Sequence, residues 1–290
     1  MNDYRACTGC GICVLPCPVW QDTRDLSLTL VGRALALQGG ASVADLRESL
    51  DACVSCGACE PVCPEEIDTV GMTLDLRKSN PLDLPELDRV NGQSGSFLPG
   101  DSLRRHRLYD VVLQRLGVSP VDASDIAAAI EAGWPVSPER HKQFLDSLVG
   151  TELIVADGIL HRPLRSWGYK VVGLGEALLR KGPALRPTDL YVIETRGYHA
   201  DFQRLVQFYD ELRKRLGCEM NLDLQRAAMA TGAASLQHRT GMDCIDVAEQ
   251  ARWILEGRTV ERIVVECVDD MEPFEEVAHV PVVHLAEVAP

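Results

Sequence analysis

Eight of the eleven cysteines fall within the first 63 positions, in two runs of one form. The first, CTGCGICVLPCP, sets Cys7, Cys10, Cys13 and Cys17 ahead of Pro18. The second, CVSCGACEPVCP, sets Cys53, Cys56, Cys59 and Cys63 ahead of Pro64. Closely spaced thiolates are metal ligands: a tight loop aims several sulfurs at one object, and small residues let the backbone approach it. Gly9, Gly11, Gly57 and Ala58 supply that room, and the neighbouring amides can hydrogen-bond sulfur. Pro18 and Pro64 end each loop and remove a backbone donor after the last thiol. Zinc held by four cysteines also uses C-x2-C spacing. Four cysteines in one run, twice over, favour a multi-iron group instead.

Each run has the spacing C-x2-C-x2-C-x3-C-P of bacterial ferredoxins, in which the fourth cysteine of a run ligates the other cluster. That match implies two 4Fe-4S clusters with crossed ligands. Cluster I takes Cys7, Cys10, Cys13 and Cys63; cluster II takes Cys53, Cys56, Cys59 and Cys17. Clusters held entirely by thiolates have no open iron corner for substrate, so the chemistry expected of them is electron transfer.

The rest of the composition agrees. The chain has 290 residues, 46% of them hydrophobic, enough for about two domains. A formal charge of −14 excludes nucleic acid and anionic lipid as main partners, because both recruit clustered Lys and Arg. The start, MNDYRACTGCG, lacks a basic segment followed by an apolar one, and no run of about 18 apolar residues occurs. Export and membrane spanning are not expected, which leaves peripheral association through a partner. A disulfide framework suits a small exported protein, whereas these thiols suit a reducing cytoplasm.

The elements that must position the thiols read as helices. Residues 28–37 carry apolar side chains at helical spacing and end at Gly39 and Gly40. Ser42 caps a second helix running to Leu50, and residues 65–78 form a third. Residues 81–100, rich in Pro and Gly, read as a linker between a domain at 1–80 and another at 101–290. Helices are predicted near 108–116 and 125–132. Beyond 150, strands are predicted at 153–156, 170–174, 190–194, 262–268 and 280–285, with helices at 199–216 and 243–256. The fold class is a helical two-cluster ferredoxin domain followed by an α/β domain with a largely parallel sheet.

Two ferredoxin runs split by a helical insert, followed by an α/β half, resemble the iron-sulfur subunits of the heterodisulfide reductase, anaerobic glycerol-3-phosphate dehydrogenase and glycolate oxidase type. In that family the second half carries cysteine-rich repeats with a Cys, then a Cys-Cys-Gly, then a Cys-x2-Cys, which can hold a further catalytic centre. Laid on this chain, those positions fall on Tyr198, on Ala230, Thr231 and Gly232, and on Cys267 and Asp270. Only Gly232 and Cys267 keep the family's residue type. The segment ELIVADGILHRPLRSWGYKVVGLGEALL resembles the end of an earlier copy without its cysteines. The resemblance implies that the scaffold is kept and its catalytic centre is lost.

Other signals are weaker. Cys218, Cys244 and Cys267 could form a three-thiolate site with His199 or Asp270, but buried free cysteines are common. The turn VVGLGEALL has Leu178 at the third glycine position of a dinucleotide motif. His199 is the one histidine to watch. The function expected is an electron-transfer subunit without catalytic residues of its own, working between a flavoprotein or other dehydrogenase partner and a downstream acceptor. The alternative is a reductase acting on a disulfide or quinone-like substrate in the C-terminal half, and a third reading makes the clusters structural or redox-sensing.

Overall fold

The computed structural model describes residues 3–87, 94–223, 226–242 and 244–290. The amino-terminal part holds helices α1 (Pro18–Thr23), α2 (Leu30–Gln38), α3 (Arg47–Ala52) and α4 (Thr69–Ser79). Pro18 opens α1 at its first position, where a missing N–H costs nothing. Thr29 caps α2 and Asp68 caps α4, each accepting a backbone N–H. The helix expected from Ser42 begins instead as a 3₁₀ turn, Ala44–Leu46, with Ser42 bonded to Asp45.

Of the expected linker, residues 88–93 lie outside the described residues, and its last residues form strand β1 (Phe97–Leu98). There follow α5 (Gly100–Arg105), α6 (Tyr109–Leu116), α7 (Ser124–Ala132), α8 (Pro138–Ser147), β2 (Glu152–Val155), α9 (His161–Ser166), β3 (Lys170–Gly173) and α10 (Leu174–Leu179). A second series then runs β4 (Asp189–Val192), α11 (Thr195–Ala200), α12 (Phe202–Leu216), β5 (Glu219–Met220), the small antiparallel pair β6 (Leu222–Asp223) and β7 (Ala227–Ala228), α13 (Leu236–Arg239), α14 (Val247–Leu255), β8 (Arg262–Val265), α15 (Met271–Val277), β9 (Val282–His284) and α16 (Leu285–Val288).

The two series share one plan. Both sheets are parallel, ordered β1-β2-β3 and β5-β4-β8-β9. In each, a strand leads through a 3₁₀ turn into a helix with proline at its third position, Pro163 or Pro273, then into a parallel strand and a short helix. The central strands β4 and β8 are buried on both faces, and β2 is buried on one face and partly buried on the other. Along β2, Leu153 and Val155 face one core while Ile154 faces the layer between the sheets; along β8, Ile263 and Val265 face outward while Val264 faces that layer. Burial on both faces produces the nearly unbroken apolar runs by which these strands are legible in sequence.

The helix expected over 199–216 is two helices. Asp201 leaves the helical region (φ −130°, ψ 39°) and breaks α11 from α12. At its other end α11 is capped by Glu194 through the amides of Arg196 and Gly197, and Arg196 and His199 of this helix reach the carbonyls of Val54 and Cys56. Arg196 is 5% exposed and pairs with Glu131, which is fully buried; Glu131 also faces Arg239 and accepts from the Leu236 amide at 3.0 Å. The same guanidinium donates to Val54 O at 3.2 Å, so one ionic knot ties α7, α11, α13 and the second cysteine loop together. Glu131→Gln strands two buried arginines beside one remaining carboxylate, and the expected loss is about 3–5 kcal/mol of unfolding free energy by denaturant titration. A loss below about 1 kcal/mol would remove the knot from the interactions that hold the fold.

Candidate metal centre

Both cysteine loops rest on left-handed backbone. Gly9 and Gly11 have φ of 72° and 74°, and the matching positions of the second loop, Ser55 and Gly57, have 53° and 78°. An L residue such as Ser55 is strained there, and Arg77 Nη1 holds it by donating to Ser55 Oγ at 3.0 Å. Gly57 has no room for a side chain: a Cβ would lie 2.8 Å from the Cβ of His199.

The last cysteine of each run lies near thiols of the other run, and Cys17 lies near thiols of both. The groups crowding Cys13 are Cys17, Cys63, Cys7 and Cys10, so Cys63 of the second run stands with the first. Cys17 of the first run acts on Cys56 and Cys59 and is itself acted on by Cys53. Cys17, Cys53, Cys56 and Cys59 line one cavity with an empty volume of about 460 Å³. The amide of Ser55 bonds Cys53, that of Ala58 bonds Cys56, and those of Trp20 and Val19 bond Cys17. Thr69 Oγ1 lies 2.9 Å from Cys59 Sγ.

Burial first, and neighbouring sulfurs second, push the Cys13 thiol up to about 12. Burial raises Cys56 to about 12 and Cys17 to about 11, and it lifts Cys59 well above the ordinary thiol value. Such crowded thiols ionise together only when a cationic group sits among them, which is the fit an iron-sulfur cluster requires. Cys53 differs: burial pushes it up, yet Arg33, Arg77 and the Ser55 amide hold it below the ordinary thiol value. A single zinc ion would draw four sulfurs to about 2.3 Å. Among the described residues no three His, Cys, Asp or Glu side chains, those of the two cysteine runs included, stand close enough together to hold a single metal ion.

The carbonyls of the second loop are held from behind. Arg33 Nη1 donates to Ser49 O at 2.5 Å, and Arg77 Nη2 to Leu50 O at 2.7 Å and Cys53 O at 2.5 Å. Gln237 Nε2 donates to Asp51 O and Cys53 O, each at 2.9 Å. His199 Nε2 accepts from the Ala228 amide, which leaves Nδ1 to carry the proton and donate to Cys56 O at 2.8 Å. Burial lowers the His199 pKa to about 4, so the ring is neutral. The sequence gives a signal for two of these missed residues: Arg33 lies on the apolar stripe of Leu30 and Ala34, and Arg77 ends the buried stripe of Val70 and Thr73. Arg196 and Gln237 carry no such mark.

In the α/β half, Thr231, Gly232, Cys267 and Asp270 line one cavity together with Val54 and Cys56, so these mapped positions meet beside the second loop. Thr231 Oγ1 donates to Asp270 Oδ1. Tyr198 sits apart from that cavity, its hydroxyl bonded to Arg226 O at 2.8 Å. Cys218 packs in the layer between the sheets and Cys244 against the second loop, so Cys218, Cys244 and Cys267 do not assemble into one ligand set.

Residues 3–67 match the family of 4Fe-4S dicluster domains. No curated protein matches the chain. Among solved structures, glutamate racemase isoform RacE1 from Bacillus anthracis is similar over 67% of this chain and 76% of its own, at 13% identity and a TM-score of 0.34, a likeness too slight to assign a fold or an activity. The amino-terminal residues form a 4Fe-4S dicluster domain, and the chain is an iron-sulfur protein.

Proposed function

We propose that this chain is the electron-transfer subunit of a cytoplasmic oxidoreductase of the heterodisulfide reductase type, carrying two clusters between a flavoprotein or other dehydrogenase partner and a downstream acceptor. Cluster I has Cys7, Cys10, Cys13 and Cys63 as ligands, and cluster II has Cys53, Cys56, Cys59 and Cys17. When bound, each cluster supplies reversible one-electron transfer. The observation that supports this reading most is that Cys17 of the first run lines one cavity with Cys53, Cys56 and Cys59 of the second, while Cys63 of the second run acts on Cys13 of the first. The chain's own residues crowd the thiols, aim amides at sulfur and exclude water from the second loop.

Anaerobically prepared protein is expected to hold about eight irons per chain and, once reduced, to show two interacting spins by electron paramagnetic resonance. Four or fewer irons in fully loaded protein would sink the reading. Cys17→Ser is expected to damage the cluster of the second run and Cys63→Ser that of the first; loss confined to each residue's own run would overturn the crossed assignment.

A reductase reading for the C-terminal half rests on one observation. Cavities at the carboxyl ends of the parallel strands are lined by Glu194, Glu266 and Cys267, and one of them reaches Cys56. Burial raises the carboxyls of Glu194 to about 8 and of Glu266 to about 7, which suits proton delivery to a disulfide or quinone-like acceptor. Cys267→Ser tests it: undiminished turnover of the intact complex removes the thiol from any such chemistry.

A further inference from the structure

The first cysteine loop lies in a stretch of surface without charge. Cysteines apart, residues 6–21 include no ionisable side chain, and of residues 26–41 the one charged side chain, Arg33, is buried. The exposed large hydrophobic side chains among the described residues are Ile12, Leu15, Leu26, Leu35 and Val149, and all but Val149 belong to these two segments. The two segments adjoin. The methyls of Leu35 lie 3.5 and 3.7 Å from where a Cβ on Gly9 would stand, so α2 meets the first loop next to the exposed Cys10. The 3₁₀ turn Ile12–Val14 packs against the same helix. The carbonyl of Leu26 rests on Gly32, one turn before Leu35 on the same face of α2.

Single apolar side chains in water are ordinary, but a group of them around one loop marks a surface that something covers. Its rim is acidic. Asp22 and Asp25 are exposed, Asp22 next to Gln21, whose Nε2 donates to Leu15 O at 2.7 Å, and Asp25 next to Leu26. Glu65 and Glu66 follow Cys63, which acts on Cys13 of the first loop. Of the two arginines nearby, Arg5 is paired with Asp3 and Arg24 lies over the ring of Trp20. The chain as a whole carries −14. A second copy of this chain would set one acidic rim against another, and anionic lipid would meet the same repulsion.

We propose that the surface of Ile12, Leu15, Leu26 and Leu35 is the docking site for a redox protein that presents an apolar face ringed by lysine or arginine, so that its redox group comes to rest against Cys10. Attraction between the rims steers the encounter, and the apolar centre, dry on contact, holds the pair. Four side chains make a small contact, which suits a carrier that must release its partner. One electron passes between the partner's redox group and the first cluster, one being oxidised as the other is reduced; no bond or proton changes. This rests on the two-cluster reading above.

The test uses the full iron-loaded chain without oxygen, and zinc-substituted cytochrome c as the probe, a redox-inert basic protein whose porphyrin edge opens on an apolar face ringed by lysines. Affinity is measured by isothermal titration calorimetry. Binding is expected to weaken steeply as salt rises from about 20 to about 200 mM. The double variant Leu15→Gln, Leu35→Gln is expected to weaken it by about tenfold. Asp22→Lys should reduce the salt dependence, and Val149→Gln, in the α/β half, should leave the affinity unchanged. The double variant keeps the net charge, so attraction between net charges alone would leave its affinity where it was, and that result overturns the proposal. Binding that salt leaves unmoved, or no binding at about 20 mM salt, overturns it too. So does sedimentation of the unaltered chain as a dimer that the double variant dissociates, which gives the surface to a second copy. Should the double variant lose iron, Ile12→Gln takes its place. An iron content of about four or fewer per chain defeats the two-cluster reading instead, and because the probe takes up no electron the two failures are distinguishable.

Discussion

The constraint on which the rest depends is the fixing of the backbone carbonyls between Ser49 and Cys56. A loop that aims amides at sulfur must turn its carbonyls away, and away from the cysteines means into the protein interior, where each needs a donor. Arg33 and Arg77 meet that need from the amino-terminal helices, and Arg196, His199 and Gln237 meet it from the α/β half. The first loop lies at the surface and calls on two side chains among the described residues: Gln38 Nε2 donates to Tyr4 O at 2.9 Å and to Cys7 O at 2.8 Å, and Gln21 Nε2 donates to Leu15 O at 2.7 Å. Symmetry in the cysteine spacing conceals a difference in how the two loops are supported.

Burying that many cations is costly unless anions or hydrogen bonds offset them. Glu131 and Asp157 answer Arg196 and Arg239, and the loop carbonyls answer Arg33 and Arg77. Glu131 belongs to α7, Arg196 to α11 and Arg239 to α13, so the network reaches across both sheet series before it touches the cysteines. Apolar packing alone would let the amino-terminal helices slide on the α/β half. Directional bonds to named carbonyls fix their register.

The cysteine runs were readable because ligand spacing is a local property of the chain. The strands were readable because burial on both faces leaves uniform apolar runs such as Leu190–Ile193. Strand β1 was hidden by the prolines and glycines around Phe97 and Leu98, and the break at Asp201 was hidden by an apolar pattern that continues through it from Phe202. The supports of the second loop were least readable. Ser55 looks like an ordinary polar loop residue until its left-handed φ and its bond to Arg77 are seen. Gln237 and Arg196 act on residues far away in sequence, and no local pattern marks such a partner.

The bond from His199 to Cys56 has a consequence for how the protein is made. The histidine follows the cysteine by 143 positions, and Gln237 lies further along still. On the ribosome the first loop emerges with nearly everything that it touches, whereas the second waits for most of the chain to follow. The full set of donors to the carbonyls of residues 49–56 is therefore present only once most of the chain has been synthesised.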